Sequence, residues 1–259
     1  MANARTIDEV ILALTGIIRI CEIEKSRLGY FPALYRRVTA QVKAGIASGR
    51  FEDGARMERL DVVFANRYLE AWDAWRNRRT VSGCWRLAFE AGGRWRPVIL
   101  QHLLAGMNAH INLDLAVAAA ETCPGREIQN LKADFDRINQ VLGALTNPVE
   151  LELAEVSPWI GLVKTFGGHS EDAVLNFDMQ AARDLAWQRA LRLADLQGSQ
   201  EEMALALAIK GMDWISTGLG KVVLHPGPLL RAGLLLVRAR ESSDAVKVMA
   251  ALTEPGGNG

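Results

Sequence analysis

Seven residues, Asn108-Ala109-His110-Ile111-Asn112-Leu113-Asp114, hold the densest group of chemically capable side chains in the sequence. They interrupt an apolar stretch that also carries Leu103, Leu104, Met107 and Leu115. At about 100° per residue, His110 and Asp114 stand as i and i+4 neighbours on one helix face. Asn108 and Asn112 form a second such pair on the roughly opposite face. Burying an unpartnered amide or imidazole costs about 1–3 kcal/mol, and a lone carboxylate costs more. Protein, water, metal or substrate must therefore satisfy all four.

The His–Asp pair supports two chemistries. It can co-ligate a divalent metal (Zn, Mn or Fe), as the two histidines of H-E-x-x-H do. Without a metal, His110 can serve as a general base that Asp114 orients. Asn108 and Asn112 would then position a carbonyl or stabilise developing negative charge. The plain alternative is a buried polar pair that ties helices together. Further metal ligands are scarce, because the sequence has four histidines. His102 lies on another face of the same helix. His169 follows Gly167-Gly168, from where a loop could carry it over a pocket, and His225 precedes Pro226 in a loop. Asp61 and Asp178 are the carboxylates that could complete a site.

Asp61 and Tyr68 share a helix face with Phe64. Tyr68 can donate to a substrate or to His110, or serve as a core aromatic with its hydroxyl at the rim. Asp61 points with core residues and needs a partner, for which Arg183 is the candidate. Arg183 and Trp187, at i and i+4, read as a surface stack. The candidate set is therefore His110 and Asp114 for catalysis or metal binding. Asn108, Asn112, Asp61, Tyr68 and Arg183 are the candidates for substrate binding.

The elements that must position these residues are helices. Thr6 and Glu9 read as a capping box opening a helix to about Ser26. Others are expected at about 32–48 and 53–77, the latter with Leu60, Phe64, Tyr68 and Trp72 at four-residue steps. Thr80 opens a short fourth helix. The fifth, about 97–121, is apolar on most faces and so should be the central, buried one. A more polar helix runs to about Leu145. Asn147-Pro148 and Ser157-Pro158 then punctuate an irregular, apolar region. Ser170 to Leu196 reads as helix, and Ser199 with Glu202 as another capping box whose helix ends near Gly218-Leu219-Gly220. A helical hairpin, about 229–240 and 244–252, precedes a Pro-Gly-Gly-Asn-Gly tail. Strand patterns and repeats are absent. The fold class is all-α, one multi-helix bundle over 1–254 around the central helix, with a loose tail at 255–259.

Composition narrows the function. The 259 residues include 30 Lys+Arg and 30 Asp+Glu, and this neutral balance argues against a nucleic-acid partner. Three cysteines without a CxxC pair argue against disulfides and suit a reducing cytoplasm. No signal-peptide pattern opens the chain, and no stretch reads as a transmembrane segment. The apolar residues Trp159 to Phe166 and Leu224 to Val237 can form core, the mouth of an apolar pocket, a homodimer face or a weak peripheral membrane contact.

The string Ala105 to Leu115, AGMNAHINLDL, resembles the signature of an uncharacterised bacterial family known only as a domain of unknown function. Leu60 to Leu69 and Ala182 to Trp187 are similar to two other segments of that family. The resemblance implies a full domain with Asn108, His110, Asn112 and Asp114 as one unit, and Asp61, Tyr68 and Arg183 as neighbours. It implies no chemistry. Helical zinc-dependent phospholipases and nucleases also use His-x-x-x-Asp, but with more histidines than this chain has.

The expectation is a cytoplasmic enzyme for hydrolysis, or for proton-transfer isomerisation or cyclisation, of a small and fairly apolar molecule. No nucleotide cofactor is expected. The alternatives are a helical protein that binds such a molecule or a lipid without chemistry, and a structural homodimer scaffold.

Overall fold

Apolar residues at three- and four-residue steps set the helices, and polar residues at their ends set the boundaries. The computed structural model describes residues 3–157 and 179–253, which are helical throughout apart from turns and short connections. There is no strand among the described residues. Helix α1 (Ile7–Ile23) starts after Thr6, whose hydroxyl accepts the Glu9 amide at 3.2 Å. The Glu9 carboxylate accepts the Arg5 amide rather than that of Thr6, so the capping box is displaced by one residue. Helix α2 (Tyr30–Ala47) follows a 3-10 turn at Arg27–Gly29 and holds Pro32 in its first turn, where the missing N–H is harmless. Helix α3 (Gly54–Arg76) is capped by Asp53, which accepts the Arg56 amide at 2.9 Å.

Helix α4 (Gly83–Gly92) begins after Ser82 and not at Thr80. Its cap comes from far away in sequence: Asp213 accepts the Gly83 and Cys84 amides at 2.7 and 2.9 Å. The central helix runs as α5 (Ile99–Ala109), a π turn (His110–Asp114) and α6 (Leu115–Thr122). Glu241 caps its first amide, that of Ile99, at 3.1 Å, placing a carboxylate on the positive end of the helix. The span Ile99–Thr122 is long and apolar enough to cross a membrane, yet 94% of its apolar window is buried inside the fold. It is the core helix.

A 3-10 stretch (Gly125–Leu131) leads to α7 (Lys132–Val156), followed by α8 (Met179–Gly198), α9 (Glu202–Leu224), α10 (Pro228–Arg240) and α11 (Ala245–Thr253). Helix α5 packs on α2, α4 and α9, and α6 packs on α3 and α8. Helices α7 and α11 close over α2. The buried Asp134 fastens the start of α7 by accepting the Glu52 and Asp53 amides and pairing with Arg56 at 2.9 Å.

Three punctuation signals act differently from expectation. Asn147-Pro148 does not end the helix, which runs on to Val156. A proline forfeits one helical hydrogen bond, and the apolar face that continues through Val149, Leu153 and Val156 outweighs the loss. Ser199 caps nothing ahead of it, because its hydroxyl turns back to the Asp195 carbonyl and α9 starts after Glu201. Gly220 does not stop α9; it lets that helix approach α4 and α5, and a Cβ there would meet Leu87 at 2.9 Å and Asn108 at 3.1 Å. His169, Asp178, the Trp159–Phe166 stretch and the tail at 255–259 lie outside the described residues.

Of the later apolar stretch, Leu224, Leu230, Leu234 and Val237 join Val98 and Leu104 in the interior. Leu229, Leu235 and Leu236 on α10 and Met203, Leu207 and Trp214 on α9 are exposed.

Gly106 marks the tightest approach beside the polar cluster. A Cβ there would stand 2.5 Å from the Phe31 ring, so α2 rests directly on the α5 backbone. Gly106→Ala should therefore displace Phe31 and destabilise the protein by roughly 1–3 kcal/mol. Thermal unfolding followed by circular dichroism should show a fall of about 2–4 °C in Tm per kcal/mol.

Candidate functional site

The central helix widens at the polar cluster. Within the His110–Asp114 turn, the Leu115 amide bonds the His110 carbonyl five residues back. Single π turns of this kind are rare and recur at functional sites. The turn carries the expected pair: His110 Nδ1 and Asp114 Oδ2 are 3.2 Å apart, both side chains buried.

Asp114 is satisfied from three directions. Besides His110, the Trp85 indole N–H donates to Oδ2 at 2.8 Å, and Arg67 Nε donates to Oδ1 at 3.2 Å. Arg67 compensates the charge and extends to Glu121 at 3.6 Å. Because the carboxylate only accepts, the proton on His110 is assigned to Nδ1, which leaves the lone pair on Nε2. Burial pushes the imidazole below its ordinary pKa against the opposing pull of Asp114, so the ring is neutral at neutral pH.

Aromatic side chains fix that ring. Phe64 stacks on it with centroids 3.6 Å apart and planes 8° from parallel, and Tyr35 meets it edge-on at 4.5 Å. Phe31 and Trp85 complete the enclosure at 5.6 and 6.0 Å. Nε2 is buried and has no hydrogen-bond partner. The Tyr35 hydroxyl lies near that of Thr39, yet neither makes a hydrogen bond of good geometry. Asp61 Oδ2 and the Tyr68 hydroxyl are likewise buried and unpartnered. Each such group costs about 1–3 kcal/mol. Their concentration near one imidazole marks this region as the candidate site.

A cavity of about 330 Å³ opens against this region between α2, α3, α5, α7 and α8. Among the described residues its wall is almost wholly apolar, with Leu34, Leu60, Leu103, Leu104, Ile138 and Leu142 among those that form it. Among the described residues, the ionisable groups on the wall are Asp61, His110, Arg183 and the Tyr35 phenol. Burial, with a smaller contribution from Glu58, raises the Asp61 carboxyl to about 7. Arg183 is 5% exposed; it donates to Asn139 Oδ1 and the Phe135 carbonyl, both at 2.7 Å, and lies 4.5 Å over the Phe135 ring. A second space of about 460 Å³, polar and lined by Arg67, Glu70, Asp73, Arg79 and Ser82, reaches Asp114 from the other side. The dyad thus stands between an apolar cavity and a polar cleft.

The expected residues divide accordingly. His110, Asp61 and Arg183 share the cavity wall, while Asp114 stands behind His110. Asn108 and Asn112 do not line the cavity: Asn108 donates to the Ser216 carbonyl at 2.8 Å and accepts from Asn112 at 3.1 Å, tying α5 to α9. Tyr68 is a core aromatic, 6.4 Å from the His110 ring and off the cavity wall. Asp61 and Arg183 do not pair. Arg183 and Trp187 are buried and both turn to Phe135 instead of forming a surface stack. Among the described residues, no three His, Cys, Asp or Glu side chains gather as a metal site would need. Asp114 spends its oxygens on Arg67, Trp85 and His110. Tyr35, Phe64, Trp85 and Arg67 complete the site without having been singled out for it. The available signal for Tyr35 was its place between Phe31 and Thr39 at four-residue steps, a core-facing row that ends in two hydroxyls.

Residues 7–226 match the family described as Family of unknown function (DUF5995). The chain belongs to that family. No curated protein and no solved structure matches it. The family match spans the dyad, Asp61 and Arg183 and ends just after α9, so every residue of the candidate site falls within the family domain.

Two outcomes follow from the burial of these groups. Asp61 holds its proton more tightly folded than unfolded, so its contribution is fully present below about pH 4 and is lost as pH rises through about 7. Asp61→Asn should gain stability over the wild type on going from pH 5 to pH 8, by on the order of 2–4 kcal/mol in paired denaturant titrations. Asp114→Ala would leave the Trp85 and His110 donors and the Arg67 charge without their acceptor. It should cost about 3–5 kcal/mol in the same measurement.

Proposed function

We propose that the protein is an acid–base enzyme for a small, predominantly apolar substrate bound in the 330 Å³ cavity. His110 is the base, through Nε2, and Asp114 is the residue that orients it and balances the charge it acquires. The observation that carries this reading is an apolar cavity whose wall presents an imidazole tethered through Nδ1 and unpartnered at Nε2. Asp61 supplies the complementary acid. Burial lowers the imidazole and raises the carboxyl, which separates a neutral base from a protonated acid near pH 7. The reaction class is proton-transfer isomerisation or cyclisation. Hydrolysis fits less well, because the described residues of the wall offer few polar groups to hold a water.

A second reading, binding without turnover, is favoured by one observation: the His110 Nε2 atom is sealed by its neighbours. Two measurements separate the readings. Nile red, a neutral apolar probe, should bind the wild type, and Met107→Trp, which fills the cavity, should abolish that binding in a folded protein. A folded protein that ignores the probe would overturn both readings. With apolar ketones in D2O, the wild type should wash deuterium into the carbon next to the carbonyl. His110→Gln should slow this about 10²–10⁴-fold while probe binding persists. The rate should fall as pH rises above about 7, where Asp61 loses its proton, and again in acid as His110 gains one. Bound ketones that never exchange would leave the binding reading alone standing.

A further inference from the structure

We infer that the natural occupant of the cavity is an apolar molecule ending in a single carboxylate, and that this carboxylate pairs with Arg183. The inference rests on the reading of the cavity as the binding site and names the class of molecule bound there.

Among the described residues Arg183 is the one cation on the cavity wall, and it is 95% withdrawn from solvent by its 5% exposure. A buried guanidinium is expensive unless an anion compensates it. Here it has none: among the described residues no carboxylate lies within ion-pair distance, and its two hydrogen bonds go to neutral oxygens, Asn139 Oδ1 and the Phe135 carbonyl. Those two bonds use Nε and Nη2, whereas Nη1 donates to nothing among the described residues. A guanidinium carries five N–H donors, so the bonded pair leaves Nη1 and the second hydrogen of Nη2, the end-on edge that takes a carboxylate in a fork. The Phe135 ring covers one face and holds that edge in place. Burial shows its effect on the cation directly, lowering it to about 10 with only weak opposition from Asp136 and Asp184.

The rest of the wall argues for a monoanion with an apolar body. Apart from Asp61, His110, Arg183 and the Tyr35 hydroxyl, the lining among the described residues is aliphatic or aromatic, and these offer a sugar or nucleotide little replacement for its hydration. A phosphate dianion would set two negative charges against one cation among the described residues of the wall. A carboxylate balances Arg183 one to one.

Displacement of Nile red by decanoate, decanol, methyl decanoate and decyl phosphate tests the inference with the full chain. The wild type should bind decanoate about ten-fold or more tighter than decanol or the ester. Arg183→Gln, whose amide nitrogen stands near the place of Nε beside Asn139, should bring acid and alcohol to within about three-fold by weakening the acid alone. Arg183→Lys, which keeps the charge and loses the fork, should fall between, and carries the test should Arg183→Gln fail to fold. Equal binding of acid and alcohol by the wild type overturns the carboxylate, and tighter binding of decyl phosphate overturns it in favour of a phosphate. If Nile red binds and none of the four displaces it, the carboxylate class fails while the cavity remains a site. If Nile red itself does not bind, the cavity reading fails first.

Discussion

A carboxylate inside an apolar helix constrains everything around it. Asp114 is 2% exposed, and a lone buried charge would cost far more than the few kcal/mol by which a domain is stable. It persists because three donors converge on it: Arg67 from α3, Trp85 from α4, and His110 from one turn earlier in its own helix. Each donor fixes an element. Arg67 sets how α3 lies against the central helix, and Trp85 sets the register of α4, whose N-terminus Asp213 of α9 holds in turn. Buried ion pairs seldom add much net stability, but they penalise every arrangement that leaves the charge unpaired. Here that penalty selects one packing of α3, α4 and α9 about the core helix.

What was legible in the sequence was what neighbouring residues decide. The apolar steps of α3, the Thr6 cap, the buried character of the helix around 97–121 and the His110–Asp114 pairing all depend on residues within about one turn. What could not be read depends on residues far apart in the chain. Asp213 and Glu241 cap helices more than a hundred residues away, and Trp85 and Arg67 reach Asp114 from other helices. The π turn was hidden for a related reason: its residues suit an ordinary helix equally well, and the widening is visible only in the Leu115-to-His110 bond. Pro148 shows the opposite failure, a local signal overruled by an apolar face that runs past it.

The polar cluster splits in a way that periodicity alone anticipated only in outline. Asn108 and Asn112 spend their amides on each other and on the Ser216 carbonyl, and the Asn112 carbonyl accepts Arg189 at 2.7 Å. That face is joinery. The other face carries the groups left wanting partners. Asp61 and Arg183 were natural candidates to satisfy each other, yet each faces the cavity separately. A carboxyl and a guanidinium that share a cavity and do not meet keep their capacity for a third party.

The charges around the cavity favour one direction of chemistry on the proposed reading. Arg67 already offsets Asp114, the imidazole is neutral, and Asp61 sits close to its own neutral form, so among the described residues the uncompensated charge is the cation at Arg183. A proton taken by Nε2 would place a positive charge on the ring. Asp114, 3.2 Å from Nδ1, would then meet it as a full ion pair without any rearrangement. Arg67, one quarter exposed at the edge of the polar cleft, connects the far side of Asp114 to water. The electrostatic cost of charging the base is therefore borne behind the ring, on the polar side. The cavity itself can stay dry, the condition under which a neutral imidazole and a protonated carboxyl act most strongly on a bound molecule.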